Sequence, residues 1–197
     1  GSSGALISMG ALQMGLHEGE LPEIIDSWRE ANPKIVQYWW DTEKAAMTAY
    51  KTGERQEVGK IAFEFYSGTL WMVLPSGRRL AYLKPRQQPN RFGRMSLTYE
   101  GVGQNHKWSR QETYSGRLVE NATQAIARDI LAEAMDRISA EDLNIVAHVH
   151  DEVIIEAPKD QYTVDEVCKL MSVNPAWCKG LPLAAAGYKG NYYFKEG

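Results

Sequence analysis

The hydrophobic period of this 197-residue chain changes at Gly53, and that change limits the folds open to it. Before Gly53, apolar residues recur every three or four positions, which is the period of a helix with one buried face. After it, short runs rich in β-branched and aromatic residues flank turn residues such as Ser67-Gly68, a pattern typical of antiparallel strands. Helices first, and then strands mixed with helices, predict an α+β architecture.

The first portion predicts three helices. Residues 5–17 and 20–31 have helical apolar spacing, with Gly19 between them. Asn32-Pro33 predicts the start of the third, because Asn is a good N-cap and Pro fits the first helical position. The expected core face of this third helix comprises Ile35, Tyr38, Trp39, Thr42, Ala45, Ala46 and Ala49. We therefore expect a helical segment over residues 1–52 and an α+β portion over residues 53–197.

The second portion predicts antiparallel strands around one long helix. The expected strands are residues 61–66, 69–74, 78–83 and 95–102, and the expected helices are 117–138 and 163–173. Pro85, Pro89 and Gly93 predict a loop over residues 84–93. Residues 105–114 have no clear pattern.

The most polar point of this portion lies between two apolar runs, residues 144–147 and 154–157. These runs predict two short strands, with residues 148–153 as the turn between them. Asp151 and Glu152 are costly to place side by side unless a positive group meets them. Mg²⁺ is a suitable cation, because it favours carboxylate oxygens. An acidic surface turn is the alternative.

His148 and His150 allow another interpretation of the same turn. Alternate residues of a strand point to one face, so both imidazoles could bind Zn²⁺. A closed zinc site needs further ligands, however, and His17 and His106 lie in unrelated contexts. A zinc metallohydrolase is the less favoured interpretation, and a packed strand residue is the default role for His148.

The long helix carries a stripe of donors. Arg117, Asn121, Gln124 and Arg128 fall within a stripe roughly 60° wide at about 100° per residue. The opposite, apolar side carries Leu118, Val119, Ala122, Ala125, Ile126 and Ile130. A solvated face is one interpretation of the stripe. Contact with nucleic acid is favoured, because Arg and Gln can reach the minor-groove acceptors that all base pairs share.

Charge and composition restrict the partners. The net charge is −3, so a nucleic-acid surface has to be a local patch. Arg78 and Arg79 begin the only basic concentration in the sequence, which suits either phosphate contact or a solvated loop. No apolar run approaches the roughly 20 residues that cross a bilayer, so a membrane protein is not expected. The two cysteines lack both metal-site spacing and a disulfide framework, which suits a reducing cytoplasm.

Several of these motifs together resemble the C-terminal part of family A DNA polymerases, the repair-polymerase-like type, and in particular their phage branch. The residues that carry the resemblance are 74–80, 118–129, 148–153 and 179–183. The resemblance spans nearly the whole chain. The resemblance implies an antiparallel palm sheet packed with helices, preceded by the end of the fingers region. It also implies template-directed transfer of nucleotides to a primer 3′-hydroxyl by a two-metal mechanism, in the cytoplasm of a bacterial host.

The resemblance also assigns roles to residues. Asp151 would bind the catalytic Mg²⁺ with Glu152 in a supporting role, and His150 would lie near the primer terminus. Arg117, Asn121 and Gln124 would match the helix that touches the minor groove of the primer–template DNA. The spacing from Asn121 to Gln124 is one residue shorter than in bacterial members of the family.

Two parts of the family pattern are not found in this sequence. These are a second metal-binding Asp from an earlier palm strand and the fingers helix that holds the incoming dNTP. We therefore expect an N-terminal polymerase half, in the same gene or in a separate chain, to complete the site. The chain alone is expected to be inactive, and residues 1–4 are either a linker or a native turn. A non-catalytic DNA-binding module or a prophage remnant remains the alternative.

Overall fold

The computed structural model describes residues 3–90, 93–103, 105–159 and 161–193. The chain separates into two compact units. The first comprises residues 1–74 and 78–122, and the second comprises residues 75–77 and 123–197. The long helix α4 (Ser115–Ala140) contributes its first turns to the first unit and the rest to the second.

The first unit begins with three α-helices in its described residues, α1 (Ser3–Ser8), α2 (Leu21–Ala31) and α3 (Pro33–Thr52). The predicted helix over residues 5–17 is therefore wrong beyond Ser8. Gly10 and Gly15 take φ values of 90° and 92°, a left-handed conformation that stops a helix and that glycine adopts without cost. The predicted helix over residues 20–31 is confirmed.

Helix α3 starts where the sequence predicts, with Pro33 as its first residue. Asn32 occupies the N-cap position, but its side chain does not cap this helix. Its Nδ2 instead donates to the carbonyl oxygen of Trp28 at 2.8 Å, which closes the end of α2. The buried face of α3 comprises Thr42, Ala45, Ala46 and Ala49, whereas Ile35 is exposed. The predicted core face is thus confirmed in its second half.

Among the described residues, six strands of the first unit form one antiparallel sheet in chain order. They are β1 (Gln56–Val58), β2 (Ile61–Tyr66), β3 (Thr69–Val73), β4 (Arg79–Pro89), β5 (Met95–Val102) and β6 (Trp108–Glu112). Strands β2, β3 and β5 match the predicted segments. Strand β6 falls in the segment that has no clear pattern, and β1 was not predicted.

Strand β4 continues through most of the predicted loop. The prediction of a loop over residues 84–93 is wrong for residues 84–89, and residues 91 and 92 lie outside the described part. The register against β5 shifts between Leu83 and Arg86, and Lys84 takes a φ of 44°. This irregularity accommodates Pro85, which has no N–H to donate to a regular ladder.

The core of the first unit lies between the sheet and α3, which contacts β1, β2 and β3. Phe63, Leu70 and Met72 are fully buried in it. Glu43 on α3 accepts a hydrogen bond from the backbone N–H of Ser115, the first residue of α4. A carboxylate at a helix N-terminus satisfies an otherwise unpaired donor. Burial is the larger effect on Glu43 and raises its pKa.

The second unit contains the rest of α4, the hairpin strands β7 (Asn144–Val149) and β8 (Glu152–Glu156), and α5 (Val164–Met171). Side-chain hydrogen bonds fasten its C-terminal segments to α4. Arg137 donates to the carbonyl oxygens of Leu170 and Val173 at 3.0 and 2.9 Å. The Trp177 indole N–H donates to Glu133. Thr163 caps α5 together with Glu166, as in a capping box.

Strands β7 and β8 pair with each other and, in the described part of the chain, with no other strand. Their register shifts between Ile145 and Ala147, so Val146 is an extra residue that bulges from the ladder. Val146 is exposed, as are Ala147 and His148. The hairpin thus forms a second, smaller sheet and does not extend the six-stranded one.

The predicted fold class, α+β with an antiparallel sheet packed against helices, is confirmed. The division into residues 1–52 and 53–197 concerns parts of a polymerase rather than compact units, and it stays a prediction. Within the described ranges, no helix combines the length and the hydropathy that a bilayer-spanning segment requires.

Candidate functional site

The hairpin that carries Asp151 and Glu152 closes through a tight turn. Val149 pairs with Glu152, so only His150 and Asp151 lie between the strands, and the predicted turn over residues 148–153 is too long. His150 takes a φ of 53°, a left-handed conformation that matches the twist of hairpin strands. The turn therefore places Asp151 at the tip and Glu152 at the start of β8.

The two carboxylates have different surroundings. Asp151 is exposed at the tip, whereas Glu152 is half-buried. The hydroxyl of Tyr193 donates to Oε2 of Glu152 at 3.1 Å. Glu152 is thus held by the protein, and Asp151 faces solvent, where a cation can reach it.

The donor set fits Mg²⁺ in part. Carboxylate oxygens suit this ion, which commonly takes one or two protein carboxylates and completes its shell with water and substrate phosphates. Across residues 3–90, 93–103, 105–159 and 161–193, no three His, Cys, Asp or Glu side chains come together as a metal site. Asp151 and Glu152 can therefore supply part of a ligand set.

The structure does not place His148 and His150 on one face of a strand, as the zinc interpretation requires. His148 lies on β7, but His150 lies in the turn with a positive φ, so the alternation of a regular strand does not align their rings. His148 is also exposed rather than packed, which makes its predicted default role wrong.

The side chains of the predicted donor stripe differ in exposure. The guanidinium of Arg117 donates to the Glu112 carbonyl oxygen at 3.1 Å and lies 6.0 Å from the centre of the Tyr114 ring. Asn121 is half-buried, and its Nδ2 donates to the Tyr82 hydroxyl at 3.0 Å. Gln124 and Arg128 are exposed. On the opposite side of α4, Leu118, Ala122 and Ala125 are buried, as predicted.

The predicted phosphate-binding arginines also differ. Arg78 is exposed. Arg79 donates to the Tyr66 hydroxyl at 2.9 Å and lies 3.5 Å from a carboxylate oxygen of Glu64. Glu64 offsets part of the charge of Arg79, which weakens the attraction of this side chain for a phosphate.

Sequence reasoning missed two long-range side-chain hydrogen bonds that involve α4. Tyr82 holds Asn121 from a strand 39 residues earlier in the chain, a pairing that no local pattern signals. Asp129 is 8% exposed and accepts a hydrogen bond from the Ser76 hydroxyl at 2.5 Å. A signal for Asp129 existed, because it lies four residues after Ala125 on the apolar side of α4 and a buried carboxylate there needs a donor.

Comparison with known protein sequences identifies a relative that includes both the β7–β8 hairpin and α4, the helix that carries the donor stripe. The chain is similar to a phage DNA polymerase. It is 48% identical over 200 aligned residues to the DNA polymerase of Bacillus phage SP02, and the alignment covers 100% of this chain. The chain spans 31% of the length of that relative. No protein-family model matches the chain, and no solved structure gives a significant match.

This similarity confirms the predicted resemblance to phage DNA polymerases. Identity of 48% along the entire chain places both the hairpin and the donor helix within the aligned region. The assignment of individual residues to catalysis or DNA binding stays a prediction, as does the choice of family A.

Proposed function

We propose that this chain forms part of a family A DNA polymerase, which transfers dNTPs to a primer 3′-hydroxyl under the direction of a template. The observation that carries the proposal is the tight hairpin with Asp151 at its tip, in a chain similar throughout to a phage DNA polymerase. The activity belongs to a longer assembly, in the cytoplasm of a bacterial host, and this chain contributes its palm portion.

In this proposal, Asp151 holds Mg²⁺ and Glu152 supports it. The primer hydroxyl loses its proton to water and its oxygen attacks the α-phosphorus of the dNTP. A new P–O bond forms, and pyrophosphate leaves with the electrons of the broken P–O bond. Bound Mg²⁺ supplies activation of the hydroxyl and neutralisation of the leaving oxygens. The contribution of this chain is to keep two carboxylates beside the reacting groups and His150 near the primer terminus.

The donor helix is proposed to hold the primer–template DNA. Arg117, Asn121 and Gln124 would face the minor groove, where acceptors common to all base pairs test pair shape without reading sequence. Arg128, Arg78 and Arg79 would contact phosphates. The remaining metal-binding Asp and the dNTP-holding side chains would come from an N-terminal polymerase half outside this chain.

A second candidate is a primer–template-binding module without catalysis. The partnered side chains of Arg117 and Asn121 favour it, because contacts made within the first unit hold these DNA-facing groups without help from the hairpin. The two candidates differ in what Asp151 does, since a binding module would not need its carboxylate.

Primer extension tests the proposal. The chain is assayed alone and mixed with the remaining part of the SP02 polymerase, each time with labelled primer–template, Mg²⁺ and four dNTPs. We expect no extension by the chain alone and extension by the mixture. Asp151→Asn should abolish that extension, whereas Asp136→Asn, a matched change at an exposed position of α4, should preserve it.

Other outcomes are decisive as well. Extension by the chain alone would show that its site is complete and that the proposed missing half is unnecessary. Extension by the Asp151→Asn mixture at the unaltered rate would remove Asp151 from catalysis. DNA binding without extension under every condition would select the binding module.

A further inference from the structure

Tyr82 lies in the middle of the six-stranded sheet, yet its hydroxyl reaches the donor helix. The residue is 2% exposed, and it pairs with Leu70 across β3 and β4. Its ring meets that of Tyr99 edge to face, with the ring centres 5.0 Å apart. Backbone pairing and ring packing together leave the hydroxyl little freedom to move.

The hydroxyl of Tyr82, the only polar group of its side chain, is hydrogen-bonded to Asn121. The Nδ2 atom of Asn121 donates to the Tyr82 hydroxyl oxygen at 3.0 Å. Burial raises the pKa of Tyr82 to about 12. The phenol is therefore neutral at every physiological pH, and it acts on Asn121 as a fixed hydrogen-bond partner rather than as a charge.

After this hydrogen bond, the Asn121 side chain still has one N–H donor and one carbonyl acceptor for further partners. A carboxamide has two N–H donors and one carbonyl acceptor, and Tyr82 occupies one donor. The second N–H is enough for a minor-groove contact, because every base pair offers an acceptor there. A side chain that is already ordered loses less rotamer freedom on binding, which improves affinity without adding a contact.

We infer that Tyr82 is a positioning residue, which orients the Asn121 carboxamide for contact with the minor groove of primer–template DNA. The inference rests on the proposed function for the DNA contact itself. It adds a residue that lies within the sheet and touches no substrate. Tyr82 acts through Asn121, so its effect on DNA binding should vanish when Asn121 is shortened.

The test is a double-mutant cycle in DNA affinity. Tyr82→Phe removes only the hydroxyl, and Tyr99→Phe removes the hydroxyl of the neighbouring ring as a matched control. Binding of a fluorescent primer–template to the 197-residue chain is measured by anisotropy at one salt concentration. We expect Tyr82→Phe to weaken binding about 3- to 10-fold, the usual effect of one neutral hydrogen bond, and Tyr99→Phe to leave binding unchanged.

The cycle separates positioning from general loosening of the sheet. Asn121→Ala alone should weaken binding, and adding Tyr82→Phe to it should weaken binding no further. Denaturant unfolding of each variant shows whether all remain folded at the assay temperature. In addition, the side-chain amide signals of Asn121 in a ¹⁵N spectrum should shift in Tyr82→Phe and hold their position in Tyr99→Phe.

Different results would contradict the proposed DNA binding and the proposed positioning role of Tyr82. If the unaltered chain binds no primer–template, the DNA-binding part of the proposed function falls and the role of Tyr82 falls with it. If the chain binds DNA and Tyr82→Phe binds equally well, only the positioning role is overturned. Additive losses in the cycle would also overturn it, because Tyr82 would then act independently of Asn121.

Discussion

The six-stranded sheet keeps Phe63, Leu70 and Met72 away from solvent, whereas the β7–β8 hairpin leaves most of β7 exposed. The first region is stabilised by its own apolar core. Neither β7 nor β8 contains a buried side chain. The second unit buries Ala134, Ile138 and Leu143 instead, and side-chain hydrogen bonds of Arg137 and Trp177 join α4 to the C-terminal segments. Stability and candidate chemistry are therefore concentrated at different places, and substitutions in the two regions should have different consequences.

The largest difference should appear when apolar side chains are shortened. Phe63→Ala removes a fully buried ring from the sheet and should lower the free energy of unfolding by about 3–5 kcal/mol. Val146→Ala in the hairpin, where Val146 is 53% exposed, should change it by less than about 0.5 kcal/mol. Urea unfolding followed by circular dichroism measures both, and equal losses would show that the hairpin has a buried core after all.

Alkaline pH should destabilise the sheet through Tyr82. An unfolded tyrosine loses its proton near pH 10, whereas Tyr82 keeps its proton up to about pH 12 because it is buried. The unfolded state then binds fewer protons, so the free energy of unfolding falls between pH 10 and 12, by up to about 3 kcal/mol.

Chemical denaturation at pH 9, 10 and 11 can follow this decrease. Tyr82→Phe should show a shallower dependence on pH than the unaltered chain. Some dependence should remain, since burial also raises the pKa of Tyr38. An identical slope in the variant would contradict the burial of a neutral Tyr82.

The stability of α5 should depend on the side chain of Arg137. Arg137 binds two carbonyl oxygens at the end of α5, and Arg137→Ala should cost about 1–3 kcal/mol, as expected for hydrogen bonds from a charged donor. Arg137→Lys keeps the positive charge but lacks the planar guanidinium with its several donors, so it should recover only part of the lost stability. Amide hydrogen exchange should locate the change in α5, and a change confined to the six-stranded sheet would refute this explanation.

The smallest effect on stability should occur at the candidate metal ligand. Asp151 is exposed beside Glu152, so Asp151→Asn removes a like-charge repulsion and little else. The free energy of unfolding should stay within about 0.5 kcal/mol of the unaltered value. Thermal unfolding in low and high salt checks this, and a loss above that range would mean that Asp151 stabilises the fold.

Local sequence signals predicted the elements that depend on local chemistry. Ser67-Gly68 marks the β2–β3 hairpin because both residues take positive φ values, 51° and 72°. The helical period of α4 correctly placed Leu118, Ala122 and Ala125 in the core. These outcomes follow from steric rules that act within a few residues.

The errors arise where tertiary contacts or special backbone conformations decide. Pro85 normally argues against a strand, but pairing on both sides of β4 carries the chain through it by way of the irregularity at Lys84. Apolar residues continue at helical spacing after Ser8, but α1 ends at Ser8 because Gly10 takes a left-handed conformation. The bond from Asn121 to Tyr82 depends on which strand packs beside α4, and no local pattern in the sequence states this.

Finally, the edges of the hairpin have a practical consequence for the isolated chain. Within the described residues, β7 and β8 each keep one edge without a strand partner, and such an edge is a template for strands of another molecule. Concentrated solutions should therefore lose monomer at a rate that increases with protein concentration. Light scattering would register that loss before circular dichroism records any unfolding.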